Sequence, residues 1–146
     1  DVPWTPQFAF GHGLSYTTFA YEAPTLSAAQ VAMGENVVVR VQVTNTGARA
    51  GDEVVQLYVR DDVGSVTRPV KMLRGFERVS LAPGERRTVS FTLRPRDLAF
   101  YDLAMRHVVE PGTFTVYVGG SSVDVREARF RVTGATTVVP DRGLVP

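Results

Sequence analysis

The stretch from Asn36 to Arg60 sets two runs of alternating residues in succession, and any fold for this chain has to bury one face of each. Val37, Val39, Val41 and Val43 fall on one face of an extended strand. Val38, Arg40, Gln42 and Thr44 fall on the other, because strand side chains alternate with period two. Val55, Leu57 and Val59 repeat the pattern within Glu53 to Arg60. Between the runs, Asn45-Thr46-Gly47 and Ala50-Gly51-Asp52 supply residues that tolerate positive φ or bond their own backbone. Two strands alone are marginal in water, so this pair needs a second sheet over its valine face.

The remaining segments read as the parts of that sandwich. Phe19 to Ser27 is a first strand, and Met33-Gly34-Glu35 turns the chain into the valine run. Met72 to Val79 is another strand, in which Gly75 marks a bulge or a close backbone approach. Ala82-Pro83-Gly84-Glu85 has Pro second and Gly third, the type II turn signature. Val89, Phe91 and Leu93 alternate with Thr88, Ser90 and Thr92 in a half-buried strand. Pro95 to Leu98 is a helical turn and Ala99 to Asp102 a short strand. After the turn at Glu110-Pro111-Gly112, Phe114, Val116 and Val118 face inward while Thr113, Thr115 and Tyr117 face water. Ala128, Phe130 and Val132 line the last strand, and Gly134 onward is a tail. Seven or eight short strands without a helical period over ten residues predict an all-β antiparallel sandwich.

With 146 residues the chain has the size of one domain and can bury about two-thirds of its unfolded surface. It has no cysteine, so neither disulfides nor thiolate chemistry enter. A net charge of +1 gives no electrostatic reason to expect nucleic acid or an anionic membrane as partner. No apolar run approaches the roughly 18 residues that span a bilayer, and Asp1-Val2-Pro3-Trp4 lacks the pattern of a signal peptide, which leaves localisation open.

His12 and His107 are the two imidazoles, and neither has a spacing that sets two metal ligands on one face, so each reads as a turn residue or partly buried hydrogen-bonder. Asp61-Asp62 and Asp52-Glu53 are adjacent acids of the kind that hold calcium. No regular array of oxygen ligands follows them, and they read as solvated loop charges. Ser15, Ser121 and Ser122 lie near glycines without a Gly-x-Ser-x-Gly elbow. No cofactor is implied. Trp4, Tyr16, Tyr21, Tyr58, Phe76 and Tyr101 can either stack on sugar rings or pack as core and corner residues. Two stretches stand out as contact surface. Residues 1–19 set Trp4, Phe8, Phe10 and Tyr16 among prolines and glycines, and the polar excursion from Asp61 and Asp62 to Arg68 and Pro69 has the composition of an exposed loop.

The order of motifs is similar to a known family. Phe10-Gly11-His12-Gly13-Leu14-Ser15-Tyr16-Thr17-Thr18-Phe19 resembles the segment that follows the catalytic part of many family 3 glycoside hydrolases, the β-glucosidases and β-xylosidases. The likeness continues through Val43 to Gly47, Gly51 to Val59, Arg68 to Phe76, Leu81 to Glu85 and Val109 to Phe114, so that it covers about residues 8 to 133. His107 stands where relatives often have Trp, and Phe114 where they often have Tyr. The resemblance implies a fibronectin type III-like, immunoglobulin-like sandwich over residues 20–133, an interdomain strap over residues 1–19 and a tail over residues 134–146. It also implies a non-catalytic accessory domain whose partners are the catalytic barrel and α/β domains of the same hydrolase. No catalytic residue carries over, and a sandwich of this size offers no cleft for two carboxylates about 5 to 9.5 Å apart. A stand-alone carbohydrate-binding module with weak sugar contact and a non-enzymatic interaction domain are the alternatives.

Overall fold

The valine alternation behaves as its period requires: Val37, Val39, Val41 and Val43 are 0–1% exposed, all on one face of a nine-residue strand, β4 (Val37–Asn45). The computed structural model describes residues 17–62, 71–121 and 124–140. One edge of β4 carries β1 (Phe19–Tyr21) and β2 (Thr25–Leu26), and the other carries β7 (Arg86–Leu93), all antiparallel. The predicted single strand from Phe19 to Ser27 is thus two short ones on the same edge. Buried Pro24, which has no N–H to give a ladder, lies in the gap between them.

The facing sheet has the order β3-β11-β10-β5-β6. Its members are β3 (Gln30–Ala32), β5 (Gly51–Asp61), β6 (Met72–Leu81), β10 (Gly112–Gly119) and β11 (Val125–Thr133). All its pairings are antiparallel except β3 with β11, which is parallel. The two valine runs therefore do not form a pair with a cover over it. β4 and β5 lie in opposite sheets, and each supplies part of the other's cover. The cause sits at the corner between them, where the Asn45 side chain accepts from Gly47 N–H and donates to Arg49 O and Leu81 O, which shapes a crossover in place of a hairpin turn.

Between the sheets, Val89 and Leu93 join the β4 valines against Val55, Leu57, Val79, Leu81, Phe114, Val116, Val118, Phe130 and Val132. Phe114 and Phe130 are cross-strand partners and stack with centroids 5.5 Å apart. Fully burying side chains of this size contributes about 1.5 to 3 kcal/mol each. The expected bulge is present: β6 slips in register against Leu57 and Tyr58, where Gly75 pairs with Leu57 and Leu73 with Tyr58, so that Arg74 is the extra residue. The type II turn is present as well, with Gly84 at φ 77° and Glu85 N–H donating to Ala82 O at 2.9 Å.

A helical turn, α1 (Pro95–Leu98), has Asp97 accepting from Arg94 N–H at 2.8 Å. It leads to a third, small sheet of β8 (Phe100–Tyr101), β9 (His107–Val109) and β12 (Thr137–Val138). Part of the segment read as a tail is therefore ordered against the domain. Thr137 and Val138 pair with Val109 and Val108, and Val139 N–H donates to His107 O at 2.8 Å.

Candidate functional surface

The outward face of β5 and β10 departs most from the sequence reading. Thr115 and Tyr117 are expected to face water, yet they and their neighbours Gln56 and Tyr58 are all 0–7% exposed. Tyr58 and Tyr117 are cross-strand partners, so their rings share one face at adjacent positions. Tyr58 OH donates to Gln56 Oε1, and Gln56 Nε2 donates to Gly120 O at 3.2 Å, which satisfies polar groups that would be costly to bury bare. Over the Tyr117 ring lie two cations, Lys71 Nζ at 4.7 Å and the Arg60 guanidinium at 5.7 Å from the centroid.

Asp62 sits at the end of this face, whereas Asp61 lies on the Val59 side of β5, beside Leu98 and Phe100. Asp61 is the last residue of β5 and pairs with Phe114, so it belongs to the sheet and not to a loop. Asp62 is held on three sides. Its Oδ1 accepts from Arg60 Nε at 3.0 Å, its Oδ2 accepts from Thr115 Oγ1 at 2.7 Å, and its N–H donates to Thr113 O at 3.1 Å. The hydrogen bond to Asp62 raises the Arg60 pKa further. Of the two acids read as solvated loop charges, Asp61 is thus held by its strand pairing, and Asp62 is the staple where the chain leaves β5. Trp4, Phe8, Phe10, Tyr16, Arg68, Pro69 and His12 lie outside the described residues.

The other candidates disperse. Asp52 accepts from Arg78 and Ser80 across β5 and β6, and the Ser80 hydroxyl and then Arg78 hold its carboxyl below the usual range. Glu53 Oε2 accepts from Tyr21 OH at 2.9 Å, and burial together with that acid pushes the Tyr21 phenol well up. His107 is a partly buried hydrogen-bonder, with Nδ1 3.1 Å from Val139 O and its ring 5.0 Å from that of Tyr101. Among the described residues, no three His, Asp or Glu side chains come together as a metal site. Of the aromatics weighed as sugar platforms, Tyr58 is buried and Tyr21 is bonded inward, whereas Phe76 (69% exposed) and Tyr101 (42%) belong to different sheets.

The β8 to β9 connection is a small apolar tip that the sequence reading passed over. Asp102 N–H donates to Arg106 O and Met105 N–H to Asp102 O, with Met105 at φ 60°. The Asp102 carboxylate accepts from the N–H groups of Ala104 and Arg106 and from Arg106 Nε. Leu103 and Met105 project from this frame at 89% and 75% exposure. An Asp followed two and four residues later by backbone donors is a recognisable turn signal.

Two facing sheets, antiparallel but for β3 with β11, with the core between them and a polar, hydrogen-bonded outer face, define a β-sandwich of the fibronectin type III class. The family model for the fibronectin type III-like domain matches residues 53–122. The chain carries a fibronectin type III-like domain and is similar to the corresponding part of proteins named β-glucosidase and β-xylosidase. It is 55% identical to a β-xylosidase of Formosa agariphila over 81% of this chain and 16% of that protein. It is 44% identical to a periplasmic β-glucosidase of Salmonella typhimurium over 87% of this chain and 17% of that protein. Among solved structures, a β-glucosidase from Erythrobacter marinus superposes with a TM-score of 0.84 at 44% identity, covering 88% of this chain and 17% of the other. A β-glucosidase from Listeria innocua in complex with glucose gives a TM-score of 0.84 at 39% identity, over 92% and 19%. The chain thus spans less than a fifth of the length of these relatives.

Proposed function

We propose that this domain is a non-catalytic accessory unit of a family 3 β-glycosidase, which stabilises the enzyme while the other domains of the same polypeptide hydrolyse the glycosidic bond. The observation that carries the reading is the asymmetry of the matches: 81% of this chain aligns with 16% of a β-xylosidase, so the likeness is to one module of a much longer protein. The chemistry of three of the described acids supports it. A general acid needs a raised pKa, whereas the carboxyls of Asp52, Glu85 and Asp102 are all shifted down by hydrogen bonds and cations.

Within the reading, Trp4, Phe8, Phe10, Tyr16, Asp61, Asp62, Arg68 and Pro69 belong to the surface that meets the catalytic barrel and α/β domains. Asp62 acts there by tying the start of the 61–69 segment to Thr115, and in this reading that segment shapes the rim of the substrate entrance. Such interdomain contacts commonly bury about 600 to 1,500 Å². The test is to offer the isolated chain aryl β-glycosides and to titrate it with cellobiose, xylobiose and laminarin while following amide shifts. No turnover and flat titrations are expected. Turnover that disappears on mutating Asp61 or Asp62 would overturn the reading, and shifts clustered at Phe76 or Tyr101 would replace it with a carbohydrate-binding module.

A further inference from the structure

We infer that the Asn45-Thr46-Gly47 corner is a clasp for the strap, fixing the direction in which the segment before Thr17 leaves the sandwich. The inference rests on the reading of residues 1–19 as a strap to another domain, and it names the joint.

The corner is itself anchored. Asn45 is 0% exposed, its Nδ2 donates to Arg49 O at 2.8 Å and Leu81 O at 3.0 Å, and its Oδ1 accepts from Gly47 N–H at 2.9 Å. Its backbone is bonded both ways to the turn between β6 and β7: Asn45 N–H donates to Glu85 O, and Gly84 N–H donates to Asn45 O. A side chain held at so many points cannot turn without leaving polar groups unsatisfied.

Thr17 and Thr18 are bonded to this fixed corner. Thr17 Oγ1 donates to Asn45 Oδ1 at 2.8 Å, which gives that oxygen its second partner. Thr46 N–H donates to Thr18 O at 2.8 Å, and the Thr18 and Thr46 hydroxyls are 2.8 Å apart. Steric fit closes the clasp. A Cβ on Gly47 would stand 1.8 Å from Thr17 Oγ1 and 3.0 Å from Thr17 Cβ. Gly47 is outside the positive-φ set, so glycine is needed here for space and not for backbone conformation. Thr17-Thr18 and Asn45-Thr46-Gly47 are therefore two halves of one contact. A chain held in this way two residues before β1 leaves the sandwich in a set direction, whereas a free Gly or Ser linker would not.

The test compares the chain with its Thr17→Val and Gly47→Ala variants. Thr17→Val keeps the shape and deletes one donor; Gly47→Ala puts a methyl where the hydroxyl lies. In the parent chain, backbone order parameters at Thr17 and Thr18 are expected near about 0.85, the value of rigid backbone. In both variants they should fall toward those of flexible chain, and hydrogen exchange at the Thr46 and Gly47 amides should rise about tenfold, the scale of one lost hydrogen bond. The amides of Val41 and Val116 serve as controls and should hold. Flexible Thr17 and Thr18 in the parent chain would overturn the clasp, as would variants that leave both readouts unchanged. These measurements concern residues 17–47 alone, so they stand or fall separately from whether the parent polypeptide cleaves glycosides.

Discussion

Phe91 of β7 reaches across the core to Gly75 of β6, so that a Cβ on Gly75 would stand 3.0 Å from Phe91 Cδ1. The bulge at Arg74 brings the backbone to this approach, and Arg74 Nε donates to Asp97 O at 2.9 Å on the far side. Gly75→Val should therefore destabilise by about 1 to 3 kcal/mol through overpacking. Combining it with Phe91→Leu should return part of the loss. Urea midpoints of the two single variants and the double variant check this; strict additivity would mean that the two sites do not touch.

Val41 is 1% exposed between valines of the same strand. Val41→Asp places an unpaired carboxylate there, at a cost of several kcal/mol against a total stability of about 5 to 15. Loss of the cooperative thermal transition is expected. A soluble variant with an unchanged transition would mean that the facing of β4 is wrong.

Facing was legible because it depends only on the period within one strand, as Val37 to Val43 and Phe114 to Val118 illustrate. Gly75 and Pro83-Gly84 were legible because glycine and proline act on their own backbone. Pairing was not. Nothing local in Val37–Asn45 or Gly51–Asp61 states that they belong to opposite sheets, since that follows from the bonds of Asn45 to Arg49 and to distant Leu81. The burial of Thr115 and Tyr117 was hidden for a related reason. Both read as wet-side β-formers, and their cover depends on partners such as Asp62, Tyr58 and Lys71. Of the candidate interface, Asp61 and Asp62 are described, and both are engaged by the sheet.

Asp102 gives a pH signature. Hydrogen bonds from Arg106 N–H and Ala104 N–H and the Arg106 cation hold its carboxyl below the usual range. A depressed folded-state pKa means that the contribution is present above the unfolded value of about 3.9 and is lost as pH falls through the lower, folded value. Carboxyl titration by NMR should give an Asp102 midpoint below that of a free Asp. Exchange protection at the Ala104 and Arg106 amides should fade over the same range and vanish in Asp102→Ala. A midpoint at or above the free value would mean that the bonds do not persist in solution.

The segment after Asp62 can be tested without disturbing the sandwich if Asp61 and Asp62 are kept, because both are bonded to β10. Replacing residues 63–69 with a short Gly-Ser turn should leave the melting temperature of the isolated chain within about 2 to 4 °C. In the proposed family 3 glycosidase that carries this domain, the same replacement should lower thermal stability or raise KM. Indifference of the full enzyme would remove that segment from the interface.

The parallel ladder of Gln30–Ala32 with Arg131–Thr133 sets the order in which the molecule can be made. Thr133 Oγ1 donates to Val31 O across a separation of 102 residues, and β11 is also the partner of β10. During synthesis, the valine strand β4 leaves the ribosome long before the strands that complete the facing sheet. Closing so long a loop is slow, and the waiting apolar face is open to wrong partners meanwhile. The last third of the sandwich, and not its most hydrophobic strand, thus sets when the domain becomes safe from aggregation.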